Sequence, residues 1–384
     1  MKTFCTILPI NEPISILKDP GMIPFGMSRL GWKSKYISFA QPESYPKEYL
    51  KYIDGLDIVK IKDDLNGKKI RICSKSIMGY IWRNARQIDV LHLYFLKHSI
   101  LYALVYKLKY PKGFVYLKLD FNMYDCILRS KERIEPIRRF VYRHYLSQIP
   151  DLVSVEQNSG LNFIKQYYRI SARNFLVLPN GVDDAIFSQF QIKNPSQRDN
   201  VVLVVGRIGA YVKNHEMILR ALESIKDTFG WKVEFIGPIE DSFKKEISSF
   251  FSKNPTMKGK VSFIGPIYDR FLLFQKYNNS KVLCMSSRSE GFALTFAEAQ
   301  VFGNYIISTE VSSTSDVIGR NPHLGQLYSN AEELSKLLSS VFKQEIDLDS
   351  SFSDRVEHGS QFLWSNICST LQQRIIATAY NQAL

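Results

Sequence analysis

Apolar residues run without a break from Val201 to Val205, and glycine follows at 206. A continuous run of this kind predicts a strand buried on both faces, as in a parallel sheet covered by helices. Apolar positions then recur at helical spacing through Met217, Leu219, Leu222, Ile225 and Phe229, predicting a helix over 214–229 closed by Gly230. The alternation repeats, with strands predicted at Lys232–Ile236, Val261–Ile264, Val282–Met285 and Tyr305–Ser308 and helices at 240–252, 269–278 and 293–302. Strictly alternating units predict a parallel, doubly wound sheet, and right-handed crossovers place helices on both of its faces.

The first half carries the same rhythm less regularly. Strands are predicted at Thr3–Leu8, Lys35–Phe39, Asp57–Ile61, Lys69–Cys73, Val90–Tyr94, Phe114–Leu119, Leu152–Val155 and Phe175–Leu178, with helices at 76–86, 95–109, 131–147 and 160–169. The segment 191–200 is polar, holds Pro195 and lacks periodicity, so it reads as a linker. The C-terminal stretch 354–382 reads as helix, with Phe362, Leu363, Ile367, Leu371 and Ile375 on one face. These boundaries give an α/β domain over 1–192, a second over 193–360 and a terminal helix over 361–384. Two such domains would create a cleft, and open parallel sheets bind ligands beyond the carboxyl ends of their strands.

A chain of 384 residues with 45% hydrophobic and 23% charged residues has globular proportions, which excludes disorder, collagen and coiled coil. No apolar run reaches the ~18 residues of a membrane span, and the N-terminus lacks the pattern of a secretory signal. Cys5, Cys73, Cys126, Cys284 and Cys368 are odd in number and widely spaced, against both a disulfide framework and a zinc site. A reducing cytoplasmic setting is expected.

The net charge of +13 is unevenly placed: residues 1–192 hold 29 Lys+Arg against 17 Asp+Glu, and residues 193–384 hold 21 against 20. The first half therefore suits something anionic: nucleic acid, an anionic membrane surface or a phosphorylated substrate. A basic surface kept for solubility is the plain alternative. Lys97–Lys118 interleaves lysines with apolar and aromatic residues, and the stretch around Lys131–His144 has the form of a basic amphipathic helix, a pattern that lies on anionic lipid or simply buries one stripe. No nucleic-acid motif accompanies the charge, so no nucleic-acid partner is expected.

Two turns after strands concentrate candidate chemistry. Gly206, Arg207, Lys213 and Asn214 follow the first apolar run, and two cations around a glycine-bearing turn suit a diphosphate. Glu290, Gly291, Phe292, Ala293, Leu294 and Thr295 follow the strand at 282–285, where the free N–H groups and positive end of a helix would favour an anion. Glu298 falls one turn inside that helix. Both glutamates are equally compatible with solvated surface positions. Asp347-Leu348-Asp349 matches a metal-binding D-x-D pattern but reads as solvated surface, and no metal ligand set is expected.

The Glu290–Glu298 stretch E-G-F-A-L-T-F-A-E resembles the signature of glycosyltransferase family 4, and so do Gly206–Asn214, Leu178–Asp183 and Phe263–Gly265. The likeness is close over roughly 175–310 and elsewhere extends only to architecture. It implies the GT-B fold: two Rossmann-like domains facing a cleft, with the C-terminal helix crossing back to the first. It also implies transfer from a nucleotide-sugar with retained anomeric configuration and no obligatory metal or other cofactor. By that resemblance Arg207 and Lys213 would hold the donor diphosphate, with Gly206 and Asn214 in the same turn. Glu298 would bind the ribose and Glu290 the donor sugar. The amides of Phe292, Ala293, Leu294 and Thr295 would grip the distal phosphate, and Gly265 to Ile267 would lie near the base.

The first half departs from the family. One glycine, Gly21, stands where a pair is usual, and Leu119-Asp120 replaces the usual histidine, so that Asp120, or Lys118, would take that place. The resemblance points to a glycan or lipid-linked acceptor and to bacterial cell-surface polysaccharide or glycoconjugate synthesis, at the inner face of a membrane. A catalytically silent GT-B scaffold is the alternative from another class.

Overall fold

A computed structural model of the chain describes residues 1–8, 13–39, 45, 53, 55–64, 73–120, 135–171 and 173–383. They group into two compact units: Met1–Asn180 with Trp364–Leu384, and Gly181–Leu363.

The first unit is built on β1 (Thr3–Ile7), β2 (Lys33–Ser38), β3 (Asp57–Lys60), β4 (Val90–Tyr94), β5 (Phe114–Leu119), β6 (Leu152–Val155) and β7 (Phe175–Val177). All pairs are parallel, in the order β3-β2-β1-β4-β5-β6-β7. Alternate residues feed two cores, as a sheet covered on both faces requires. Phe4 and Tyr116 pack with Met22, Ile23, Trp364, Ile367 and Leu371 on one face. Cys5, Leu91 and Leu117 pack with Ile77, Tyr102 and Leu146 on the other. The predicted helices appear as Lys75–Asn84, Leu96–Lys109, Glu135–Gln148 and Asn158–Tyr168. The predicted strand Lys69–Cys73 and residues 131–134 of a predicted helix lie largely outside the described residues.

One helix of this unit, Asp19–Arg29, is not legible in the sequence, because Pro20, Gly21, Pro24 and Gly26 all weaken helical propensity. Pro20 sits in its first turn, where the missing N–H is tolerated. The C-terminal stretch divides into helices Phe352–Gly359 and Trp364–Ala383, and only the second belongs to the first unit. Phe362, expected on the same face as Ile367, is buried within the second unit.

The second unit carries β8 (Val201–Val205), β9 (Lys232–Ile236), β10 (Val261–Gly265), β11 (Val282–Met285), β12 (Tyr305–Thr309) and β13 (Gly325–Tyr328). They are again all parallel, in the order β10-β9-β8-β11-β12-β13. The helix after β8 spans His215–Glu223 and stops short of 229. Asp227 accepts the Phe229 N–H at 3.0 Å, a local turn that competes with helix.

The division between units falls at Asn180, upstream of the boundary expected at 192. The expected linker is polar because its groups are satisfied by the second unit. The Asn278 side chain bonds Gln191 O and Lys193 N, each at 3.0 Å, and buried Arg198 donates to Lys193 O (2.8 Å), Ser280 O (3.1 Å) and Phe302 O (2.6 Å). Phe190 stacks on Phe271 at 4.6 Å. A second buried guanidinium, Arg355, donates to Gly303 O (2.8 Å), His323 O (3.1 Å) and Leu348 O.

Candidate functional site

In the second unit the loop after β8 is locked to the loop after β9. Ile208 N donates to Pro238 O at 2.8 Å, and Glu240 N donates to Ile208 O at 2.9 Å. Gly237, at φ 142°, makes the close approach: a Cβ there would lie 1.7 Å from Gly206 O, so no larger residue fits. The lock brings Arg207 beside Glu240, with Nε 3.1 Å from the carboxylate. Arg207 stays mostly exposed, so this pair contributes little to stability.

The same loop ends at Lys213, and here two predicted residues meet. Lys213 Nζ lies 2.5 Å from Glu290 Oε1, although the two are far apart in sequence. Ser287 Oγ donates to the same oxygen at 2.6 Å, so both bonds use Oε1. Ser286 donates to Lys213 O at 2.8 Å, and Thr309 donates to Ser287 O at 2.6 Å. These serines are buried and complete the frame that holds Lys213 and Glu290. Sequence reading missed their role, because serine after a strand is an ordinary turn residue.

Glu290 lies in the loop leading to the helix Leu294–Val301. Its N-cap is Ala293, and no side chain caps the first N–H groups. Phe292 and Ala293 are buried, and the buried Thr295 hydroxyl lacks a hydrogen-bond partner among the described residues. An uncapped helix start with a spare hydroxyl is chemistry suited to an anion. Gly265 has φ 85° and accepts the Gly237 N–H at 2.9 Å, while Ile267 is half-buried just beyond it.

These residues fall inside a stretch that matches a known family. The description "Glycosyl transferases group 1" matches residues 186–358. Solved structures with the same fold include Anabaena Alr3699/HepE in complex with UDP, at TM-score 0.72 and 13% identity, covering 98% of this chain and 100% of that one. The lipopolysaccharide outer core galactosyltransferase WaaB is similar at TM-score 0.69 and 18% identity, over 98% and 99% of the two chains. A glycosyltransferase from Rickettsia africae gives TM-score 0.72 and 15% identity, over 99% and 98%. Comparison with curated proteins gives no match. The fold is GT-B, shared with these solved structures.

Within the matched stretch Glu298 is buried, and both its oxygens are engaged: Oε1 by Arg270 at 3.0 Å and Oε2 by the Tyr277 hydroxyl at 2.8 Å. Burial, and then the adjacent carboxylate, hold the Tyr277 hydroxyl well above the usual tyrosine range, so it stays a donor. A ribose hydroxyl at Glu298 would therefore add to these two partners. Asn214 is buried with φ 53° and caps the turn rather than facing solvent.

The same stretch also places a histidine that sequence reading passed over. His215 Nδ1 accepts the Gly209 N–H at 3.1 Å, which requires the neutral ring. Burial, reinforced by Lys213, pulls its pKa from 6.5 down to about 4. The unfolded chain therefore binds more protons than the folded one between those values, and the contribution is lost as pH falls from 6.5 toward 4. Its magnitude is about 3 kcal/mol by that linkage. Melting temperature measured against pH should fall steeply over this interval. In His215→Gln, whose amide oxygen can accept the same N–H, the slope should flatten; an unchanged slope would remove His215 as its source.

The two predicted residues of the first unit are placed differently. Gly21 lies buried in the helix Asp19–Arg29, where a Cβ would sit 2.0 Å from Ile16 O. Its small size serves that backbone contact. Asp120 is exposed directly after β5. Lys118, by contrast, is fully buried, and its ammonium is loosely surrounded by Leu178 O at 3.5 Å, Asp19 Oδ2 at 3.8 Å and Glu156 Oε1 at 4.0 Å. Burial pushes the Glu156 carboxyl up to about 8, against the pull of Lys118. Asp347 and Asp349 are exposed, and Asp347 accepts the backbone N–H groups of Asp349 and Ser350. Among the described residues no group of three His, Cys, Asp or Glu is placed to hold a metal ion.

Proposed function

We propose that the chain is a retaining glycosyltransferase of family 4 that moves a sugar from a UDP- or GDP-sugar to a glycan or lipid-linked acceptor. The setting we infer is bacterial cell-surface polysaccharide or glycoconjugate synthesis. The observation that carries the reading is the meeting of Lys213 with Glu290 in the loop that feeds an uncapped helix start, within the matched stretch.

In this reading the bond between the anomeric carbon and the diphosphate oxygen breaks, and a bond to the acceptor oxygen forms on the same face. The acceptor proton passes to the departing diphosphate. Arg207 and Lys213 neutralise the charge that grows on the leaving group, which lowers the barrier because they are fixed before reaction. The amides of Phe292 to Thr295 hold the distal phosphate, and the Thr295 hydroxyl gains a partner. Glu290 keeps Oε1 on Lys213 and offers Oε2 to a donor-sugar hydroxyl. With two cations on the diphosphate, no metal or other cofactor is required.

Thermal stability with UDP, GDP and their sugars tests the donor site. A nucleotide at 100 times its Kd stabilises by about 2.7 kcal/mol. One base family should raise the melting temperature, and Arg207→Ala/Lys213→Ala should lose the shift. No shift with any nucleotide would leave a catalytically silent GT-B scaffold as the better description, with Glu298 closed off by Arg270 and Tyr277.

The lipid-linked acceptor fits the surface of the first unit. The helices Leu96–Lys109 and Glu135–Gln148 bury one stripe yet leave Leu108 at 75%, Ile137 at 71% and Phe140 at 72% exposure. Arg143 and Lys97 are exposed on the same helices. Apolar side chains among cations suit peripheral contact with an anionic bilayer. Among the described residues no helix is long and apolar enough to cross a membrane. Flotation should show binding to anionic but not to neutral liposomes, weakened in Phe140→Asp; no binding to either would point to a soluble acceptor.

A further inference from the structure

A cavity of about 420 Å³ opens in the first unit between the end of β3 and the helix Lys75–Asn84. Lys60, Lys62, Lys75 and Arg83 line it, together with Ser76 and Tyr80. Among the described residues no carboxylate lines it. None of the four cations pairs with a carboxylate among the described residues. Asp64, at the helix start, is already held by Ser74 Oγ at 2.5 Å, Lys75 N at 2.8 Å and Ser76 N at 3.1 Å. Those helix amides are therefore occupied, and the positive character of the cavity comes from side chains.

Four like charges around one cavity repel one another, and a bound polyanion removes that repulsion. A single carboxylate would offset only one of them. A phosphate ester carries up to two charges and a diphosphate more, with oxygens that match the planar Arg83 fork and the Ser76 and Tyr80 hydroxyls. We propose that this cavity is a second anion site, separate from the donor turn, that binds the phosphate or diphosphate group of an organic phosphate. The inference goes beyond the transferase reading and does not depend on Arg207 or Lys213.

The test is calorimetric titration of the full chain with inorganic pyrophosphate at low ionic strength. Wild type should show two sites. Lys75→Glu/Arg83→Glu should keep the donor-turn site and lose the other, with affinity there down about tenfold or more. Arg207→Ala/Lys213→Ala should show the reverse. Two sites persisting in Lys75→Glu/Arg83→Glu would overturn the proposal, whereas two sites persisting in the other variant would overturn the donor assignment instead. The milder Lys62→Gln/Arg83→Gln replaces the first variant if its melting curve shows misfolding. Binding to phosphatidylcholine vesicles containing phosphatidic acid identifies the source: loss in Lys75→Glu/Arg83→Glu marks a lipid headgroup, and retention there with loss of pyrophosphate marks a soluble phosphate ester.

Discussion

Replacing Lys213 by alanine should lower the transfer rate about 100–1,000-fold, the scale seen when one fixed donor to developing negative charge is removed, or about 2.7–4 kcal/mol. The ammonium is only partly exposed and is held by Glu290 at 2.5 Å, so it is positioned before any donor arrives. Ser286 fixes its backbone and Ser287 fixes its partner. The loss should therefore appear in kcat as well as in kcat/KM, because an interaction made with the departing diphosphate strengthens as the bond breaks. Arg207→Ala should fall on the same scale. Glu290→Gln separates two roles: it releases Lys213 from its ion pair yet keeps a polar contact for the donor sugar. Initial rates with the donor identified by thermal shift give the answer, and near-normal turnover in Lys213→Ala would remove the residue from the mechanism.

Arg355→Ala should destabilise the second unit by about 3–5 kcal/mol, combining a large cavity with unsatisfied carbonyls. The guanidinium is almost fully buried and ties the helix Phe352–Gly359 to Gly303, His323 and Leu348. Burial pulls its pKa down to about 10, so it remains charged in neutral solution. Removing it leaves three acceptors facing a void. For a unit of this size the midpoint should drop by roughly 10 °C. Calorimetry with the first unit's transition as internal reference measures it. A shift of about 1 °C would mean that water or a neighbouring side chain satisfies those carbonyls.

Much of this was legible in the sequence, for identifiable reasons. Val201–Val205 has no polar interruption, and only a doubly covered parallel strand asks for that. Lys213 and Glu290 announced themselves because charge beside glycine after a strand is chemically conspicuous. Other features were hidden because their signals run against local rules. Asp19–Arg29 folds as a helix despite two prolines and two glycines, since tertiary packing of Met22 and Ile23 outweighs propensity. The compact units divide at Asn180 rather than near 192, and the segment between is polar for buried partners, as Asn278 and Arg198 show. Gly21 drew attention as a binding glycine, and the close approach of Ile16 O, invisible in the sequence, also asks for glycine there. His215 was silent in sequence because its role is defined by one backbone N–H brought close only by folding.

The last helix, Trp364–Ala383, completes the core of a unit whose sheet ends at Val177. Trp364, Ile367 and Leu371 pack against residues as early as Phe4. During synthesis, then, the unit encoded first cannot finish first. The second unit has all of its chain available while the earlier sheet still waits with one apolar face only partly covered, by the helix Asp19–Arg29. Assembly should thus run in reverse of translation order, and the interval of exposure lasts until the segment 364–383 has emerged from the ribosome. A nascent chain stalled before Trp364 should hold a protease-resistant Gly181–Leu363 body and a protease-sensitive N-terminal one, a division that disappears once the segment 364–383 is available.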